Sequence, residues 1–183
     1  RIDANLLDVT MEDLHDMPKQ LYDGKIKKVR EKTQGQLIIK EYPTASAHSG
    51  HFKSLINELA LKKSFRPDVI FIDYLNICAS ARFKGGNISS YFYIKAIAEE
   101  LRGLAVEADV PIFSATQTTR TGFVSTDLGL EDTSESFGLP ATADFMFALM
   151  SNEELEQLGQ MKVKQLKNRY NDPSVNRAFI IGV

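Results

Sequence analysis

The fold can be worked out from residues 69–75, which read Val69-Ile70-Phe71-Ile72-Asp73-Tyr74-Leu75. The first four residues are β-branched or aromatic, and no polar residue interrupts them. An apolar run of this kind predicts a strand that is buried on both faces, which is the habit of parallel sheets. Asp73 then lies at the carboxyl end of a parallel strand, where ligands of open α/β sheets collect.

Amphipathic helices and further apolar runs flank this strand. Apolar residues spaced three and four apart predict one helix that begins at Ser49 and another over Ser90–Ala108. The remaining buried strands and the arms of a β-hairpin are predicted at Pro111–Thr116, Asp144–Met150, Val163–Lys167 and Arg177–Val183. This alternation of strands and helices predicts an α/β sheet with right-handed crossovers.

The first part of the chain is predicted to be mainly helical. Thr10 with Asp13 resembles a capping box that opens a helix, and Lys19–Lys32 is an amphipathic surface helix. Gln36–Tyr42 is a short β-rich run closed by Pro43. Such a run is typical of a strand.

Composition limits the classes of function. With 183 residues, 43% hydrophobic and 25% charged, the chain has the size and composition of one globular domain. Its net charge of -2 argues against a polybasic, histone-like protein. Cys78 is the single cysteine, which excludes disulfides within the chain and favours a reducing, cytosolic setting. The chain starts at Arg1, and we expect it to be part of a longer protein.

Two polar residues end neighbouring predicted strands. Asp73 occupies the position of the Walker B carboxylate of P-loop nucleotide hydrolases, which holds Mg²⁺ or its water shell. Gln117 ends the next strand, and its amide could donate to a γ-phosphate while accepting from water. The alternatives are that Asp73 caps the strand end and that Gln117 is an ordinary surface residue.

A cationic pair ends the penultimate strand. Lys167 and Arg169 are two residues apart, so their side chains are predicted to point the same way. Together they could clamp phosphate oxygens, with Arg169 making the bidentate contact. The alternative is a solvated basic edge that discourages strand pairing.

The order and spacing of these elements resemble the replicative hexameric helicases of the DnaB family. The matching stretches are Val69–Leu75, Val110–Arg120, Ala141–Phe147 and Lys167–Asn171. The first, second and fourth of these stretches correspond to the family's apolar-Asp-Tyr-Leu motif, to its Gln with an Arg three residues on, and to its Lys-x-Arg-Asn-like stretch, into which Tyr170 is inserted here. Over Tyr93–Glu107 and Leu139–Ala148, the sequence is most similar to the helicases of T-even-like bacteriophages.

The resemblance implies a RecA-like P-loop NTPase core that uses ATP and Mg²⁺, with 1–183 as the carboxyl-terminal portion of a single helicase ATPase domain. Asp73 matches the Walker B carboxylate, which holds the metal through water. Gln117 matches the residue that couples the γ-phosphate to the DNA-binding loops. Lys167 and Arg169 match the pair that reaches the neighbouring subunit's ATP site, Arg169 being the arginine finger.

The resemblance also implies DNA contacts and partners. Thr133–Gly138 matches the central-channel loop that follows single-stranded DNA. Its expected DNA-binding residues are Ser134, Glu135, Ser136, Phe137 and Gly138, with Arg82, Lys84 and Arg120 as further contacts. The implied assembly is a homo-oligomer, a hexameric ring that could bind primase in the host cytoplasm.

The chain departs from the family pattern at the phosphate cradle. No Gly-x-x-x-x-Gly-Lys-Ser/Thr run occurs in it, and the family carries this motif upstream of what matches Arg1. The P-loop strand and the catalytic glutamate are therefore expected outside the chain. We expect the chain alone neither to bind ATP tightly nor to hydrolyse it.

Two other functions remain open from the residues alone. A RecA-type recombinase has the same core and differs mainly in forming filaments. A receiver-like signalling module would use Asp73, Thr116 and Lys167 at three strand ends. A receiver also needs an acidic pair after its first strand, and no apolar strand precedes Asp8 and Asp13.

Overall fold

The computed structural model describes residues 1–83, 88–118, 128–132 and 138–182. The chain divides into two compact units, Arg1–Glu41 and Tyr42–Val183. Among the helices in these described ranges, none is long and apolar enough to cross a membrane.

The first unit consists of three helices. They are α1 (Ile2–Leu7), α2 (Met11–Asp16) and α3 (Lys19–Lys32). The cap predicted at Thr10 is confirmed, because the Asp13 amide donates to Thr10 Oγ1 at 3.0 Å. The Tyr22 hydroxyl donates to Asp3 Oδ2 at 3.2 Å and so connects α3 to α1.

The β-rich run Gln36–Tyr42 forms no strand, so that expectation is wrong. Leu37 and Ile39 are exposed. A strand needs a neighbour to take its backbone hydrogen bonds. None of the described strands pairs with this run, and it is extended without being part of a sheet.

The second unit contains helices and two sheets. Its helices are α4 (Ser49–Lys63), α5 (Ser90–Ala108), α6 (Gly138–Thr142) and α7 (Glu153–Gln157). Its strands are β1 (Ile70–Ile72), β2 (Ile112–Ser114), β3 (Phe145–Met150), β4 (Gln160–Asn168) and β5 (Ala178–Gly182). The two long helices are confirmed, and α5 begins and ends at the predicted residues.

The strands pair in two different ways. β1 and β2 are parallel, with Ile70 opposite Ile112 and Ile72 opposite Ser114. β3, β4 and β5 form an antiparallel sheet in that order, which confirms the predicted hairpin at the carboxyl end. The α/β architecture is therefore confirmed, with the parallel pairing at β1 and β2.

The core of this unit lies under α5. Ile97 is only 1% exposed. The other buried members of the cluster are Leu75, Cys78, Ile94, Ala98, Leu101 and Leu139. Burial raises the pKa of the Cys78 thiol. This agrees with Cys78 being a packing residue rather than a nucleophile.

The apolar runs predicted strands that are buried on both faces. This is wrong for β1, β2 and β3, which all carry exposed aromatic residues. Phe71 of β1 is 73% exposed and stacks on Phe113 of β2, with ring centroids 5.3 Å apart. In β3, Phe145, Phe147 and Leu149 are exposed, whereas the alternate residues face inward. In β1 and β3, alternate residues are exposed, and no described residue covers the face on which they lie.

Candidate functional site

The carboxyl ends of β1 and β2 bring two of the predicted residues to one edge. The strands are parallel and in register, so the residues after Ile72 and after Ser114 emerge on the same side. The Ser114 hydroxyl donates to the Ile72 carbonyl at 2.8 Å, and the Leu75 amide donates to the Ala115 carbonyl at 3.2 Å. Both contacts hold the two strand ends together, and the second of them lies beyond the last paired residues.

Asp73 and Gln117 are at this edge, and the Gln117 side chain is exposed there. Gln117 Nε2 donates to the Tyr74 hydroxyl at 3.2 Å, and Tyr74 directly follows Asp73 through a cis peptide bond. A second bridge links the same segments, because Thr116 Oγ1 donates to Asn76 Oδ1 at 2.9 Å. The prediction that these strands deliver a carboxylate and an amide to one edge therefore agrees with the structure.

Asp73 is the candidate metal ligand at this edge. Within the described ranges, no group of three His, Cys, Asp or Glu side chains could hold a metal ion. A Mg²⁺ ion usually keeps several waters and uses one or two carboxylates together with substrate phosphates. A single carboxylate such as Asp73 fits that mode and does not fit a site built wholly from protein ligands.

Lys167 and Arg169 both reach the end of α6. Lys167 Nζ donates to the carbonyls of Pro140 and Ala141. Arg169 Nη2 donates to the Ala141 carbonyl at 3.1 Å. The last carbonyls of a helix have no helical donor and favour cations. The pair points the same way, as predicted, and β4 is the central strand of its sheet, so the alternative of a protected edge strand is not supported.

The pKa of Lys167 lies below its ordinary value. Burial is the largest cause, and the positive charge of Arg169 acts in the same direction. Asp144 opposes this shift. Lys167 is therefore a partly desolvated cation beside a second cation, which is an environment that favours a bound anion.

Asp144 connects Arg169 to a third cation. Arg169 Nε donates to Asp144 Oδ1 at 2.8 Å, and Arg102 Nη2 donates to the same oxygen at 3.1 Å. The Arg169 amide also donates to the Asp144 carbonyl at 2.9 Å. Arg102 belongs to α5, so one carboxylate oxygen joins that helix to the carboxyl end of β4.

Three arginines line one open cleft, which we call the arginine cleft. Its volume is about 580 Å³. Its lining residues are Arg82, Glu99, Arg102, Gly103, Val106, Ala141, Thr142 and Arg169. Arg82 Nη1 is paired with Glu99 Oε2 at 2.6 Å. The cleft is thus rich in guanidinium groups whose orientations are fixed by carboxylates.

The loop that follows Cys78 is anchored by Glu100 of α5. Glu100 accepts hydrogen bonds from the Ser80 hydroxyl at 2.6 Å, the Ala81 amide at 2.8 Å and the Arg82 amide at 3.2 Å. It also accepts from Ser49 at 3.0 Å. Burial alone would raise the pKa of Glu100, but these hydrogen bonds outweigh it and lower the pKa.

The predicted DNA contacts are only partly described. Arg82 lines the arginine cleft, and Gly138 is the buried first residue of α6. A β-carbon at Gly138 would lie 3.0 Å from the Tyr91 hydroxyl, so any larger residue there would require the Tyr91 ring to shift by a few tenths of an ångström. Lys84, Arg120, Ser134, Glu135, Ser136 and Phe137 lie outside the described residues.

Sequence reasoning missed Glu100, Arg102 and Asp144. Each acts through partners far away in sequence, and the arginine of the Arg102–Asp144 pair lies 42 residues from its carboxylate. In the sequence, a lone acidic residue on an amphipathic helix or before a strand gives no indication of such distant partners.

Comparisons with known proteins show which proteins this chain is similar to. No family model matches the chain. The chain is 48% identical, over 186 aligned positions that include its whole length, to the DnaB-like replicative helicase of Enterobacteria phage T4. This chain is related over its whole length to the DnaB-like helicases. It spans 39% of the length of that T4 relative.

Solved structures of helicase ATPase domains have the same fold. One of them, described as an ATPase domain, matches with a TM-score of 0.73 and 18% identity, covering 98% of this chain and 63% of that one. A structure titled as a DnaB-like replicative helicase and its interactions with primase matches with a TM-score of 0.65 and 20% identity. That match covers 95% of this chain and 39% of the other. The fold of this chain is therefore that of the RecA-like ATPase domains of DnaB-like helicases.

Proposed function

We propose that the chain is the carboxyl-terminal part of the ATPase domain of a replicative DNA helicase, which moves along single-stranded DNA as a hexameric ring. The observation that carries this proposal is the position of Asp73 and Gln117 at one sheet edge, in a chain 48% identical to the T4 helicase. Ligands of α/β sheets bind at this edge. The same proposal makes the intact protein a cytoplasmic replication enzyme that uses ATP and Mg²⁺ as cofactors.

Asp73 and Gln117 have separate tasks in this proposal. Asp73 would hold Mg²⁺ through a water molecule; the bound ion supplies neutralisation of charge on the phosphates. Gln117 would sense the γ-phosphate, because its amide can donate to a phosphate oxygen. Its hydrogen bond to Tyr74 connects Gln117 to the residue that directly follows Asp73. A change at Gln117 would then move the loop that follows it, which contains Arg120.

Arg169 would act on the nucleotide of the neighbouring protomer. Its side chain is 41% exposed and lines the arginine cleft, which is open to solvent. An arginine that stabilises the transferring phosphoryl group usually contributes about 10³- to 10⁵-fold in rate. Lys167 would stand beside it as a second cation that contacts phosphate oxygens. The carbonyls of Pro140 and Ala141 at the end of α6 hold both cations in place.

DNA would be held by loops near the ring axis. The candidates are Thr133–Gly138, whose backbone amides would grip phosphates, together with Arg82, Lys84 and Arg120. Gripping by amides is compatible with a net charge of -2, since it needs no basic excess. A structural neighbour is titled for its interactions with primase, and we extend that partner to this protein as part of the proposal.

The test of a finger in trans is Arg169→Ala in the intact protein. We expect DNA-stimulated ATP hydrolysis to fall by about 10³-fold or more, while binding of a fluorescent ATP analogue stays nearly unchanged. Arg177→Ala is the matched control, because it removes the same charge from an exposed position outside the cleft. Simultaneous loss of binding and hydrolysis in Arg169→Ala would argue against a finger in trans.

Two further measurements test the assembly. Electron micrographs of the intact protein should show closed rings, and filaments would favour a recombinase instead. Residues 1–183 lack a Gly-x-x-x-x-Gly-Lys-Ser/Thr run, so the chain alone should show no ATP turnover. Turnover by the chain alone would contradict the proposal that the phosphate cradle lies outside it.

A further inference from the structure

Asp144 is the point at which three elements of the second unit meet. It lies between α6 and β3, and its Oδ1 accepts from Arg169 of β4's end and from Arg102 of α5. Its carbonyl also accepts the Arg169 amide. Both the main chain and the side chain of Asp144 therefore fix the residue that we propose as the arginine finger.

The contact to Arg169 is made through Nε, with Nη2 taken by the Ala141 carbonyl. These two bonds fix the plane of the guanidinium and the last torsions of a long side chain. An arginine without such partners samples many rotamers, and it loses this conformational freedom when it binds a phosphate. Asp144 thus removes in advance much of the freedom that Arg169 would lose in catalysis.

The charges around Asp144 are unequal. Two guanidinium groups share a single carboxylate oxygen, and the nearby Lys167 donates to the carbonyls of Pro140 and Ala141 rather than to that carboxylate. The cluster therefore keeps an excess of positive charge on the side of the open arginine cleft. A carboxylate that fully neutralised Arg169 would compete with an incoming phosphate. Asp144 instead orients the arginine and leaves an excess of positive charge beside it.

We propose that Asp144 is a positioning residue that holds the Arg169 guanidinium toward the neighbouring protomer, with Arg102 as the second anchor of the same carboxylate. This inference rests on the proposed function, because it assigns Asp144 a task only if Arg169 acts in trans. Asp144 itself touches no nucleotide in this scheme. Its effect on catalysis passes entirely through Arg169.

The first experiment uses Asp144→Asn in the intact protein. The change keeps the shape and one acceptor but removes the charge that holds both arginines. Misplacement of a catalytic group by about 1 Å can cost on the order of 10²-fold, and we expect kcat of DNA-stimulated hydrolysis to fall by on the order of 10- to 10²-fold. KM for ATP and the melting temperature should stay close to those of the parent. An unchanged or increased kcat would overturn the inference.

A double mutant tells positioning from general damage. If Asp144 acts through Arg169, adding Asp144→Asn to Arg169→Ala should cost no further activity. A further loss of tenfold or more would mean that Asp144 has another role, and would overturn the inference. Asp144→Glu keeps the charge and should recover part of kcat. Glu154→Gln on α7 is the control for loss of one exposed negative charge.

Mixed rings test whether the effect crosses the subunit boundary. Asp73→Asn subunits supply intact fingers, and Asp144→Asn subunits supply intact Asp73. Random mixing at equal amounts should give wild-type composite sites at about a quarter of the interfaces. We therefore expect activity above that of either parent. The reference mixture combines Asp73→Asn with Arg169→Ala and should recover in the same way.

The two mixtures separate the failure of the inference from that of the proposed function. No recovery in the reference mixture means that Arg169 does not act in trans, and the role of Asp144 falls with it. Recovery in the reference mixture alone means that Asp144 acts within its own subunit. That result overturns the positioning role and leaves the proposed function intact.

Discussion

Replacing Glu100 by alanine should loosen the loop that leads from Cys78 to Arg82. Glu100 accepts from the Ser80 hydroxyl and from two successive amides, those of Ala81 and Arg82. Ser80 is 5% exposed, so its donor cannot turn to water when the carboxylate is removed. A hydrogen bond to a charged group contributes about 1.5–3 kcal/mol. Because about 1.4 kcal/mol is a factor of ten, local opening should become about 10- to 100-fold more frequent.

Hydrogen exchange followed by mass spectrometry measures this opening directly. The peptide that contains Ala81 and Arg82 should exchange about 10- to 100-fold faster in Glu100→Ala. Glu99→Gln is the matched control, since Glu99 pairs with the exposed Arg82 side chain and such surface pairs contribute about 0–1 kcal/mol. Exchange within twofold of the parent in Glu100→Ala would refute the anchoring role of Glu100.

Three further outcomes follow from burial and protonation. The pKa of Glu100 lies below its ordinary 4.5, so its contribution to stability is present above pH 4.5 and is lost as the pH falls further. The stability of Glu100→Gln should therefore depend less on pH in this acid range, as measured by unfolding followed by circular dichroism. Ile97→Ala should cost about 2–5 kcal/mol in thermal unfolding, whereas Leu61→Ala on the exposed face of α4 should cost about 0.5 kcal/mol or less. Cys78 is 7% exposed, so its labelling by a thiol reagent should be about 10²-fold slower in the folded protein than in urea.

The sequence predicts those parts of the fold that are set by local pattern. The apolar spacing over roughly Ser90–Ala108 is a property of one helix, and α5 is found there. The placement of Asp73 and Gln117 at one edge is also predictable, because parallel strands necessarily bring their carboxyl ends to the same edge. Each of these inferences uses neighbours in sequence together with one general rule of topology.

The errors arise where a residue's environment depends on distant parts of the chain. The apolar run that contains Phe71 predicts burial on both faces, yet composition cannot say what covers the second face, and Phe71 is exposed beside Phe113. Gln36–Tyr42 has strand composition, but a strand also needs a partner. Asp144 was read only as the start of a strand, because its arginines lie 42 and 25 positions away in the chain.

A net charge of -2 does not conflict with phosphate binding once the arginines are considered one by one. Arg82 is held by Glu99, and Arg102 and Arg169 are held by Asp144. These acids lower the net charge, yet they fix the guanidinium groups along one cleft, where unpaired arginines would move freely. The net charge therefore underestimates how strongly the arginine cleft can bind phosphate, because binding strength depends on the orientation of the arginines as well as on charge. Removing Asp144 makes the chain more basic and, on this reasoning, a poorer partner for the neighbouring nucleotide.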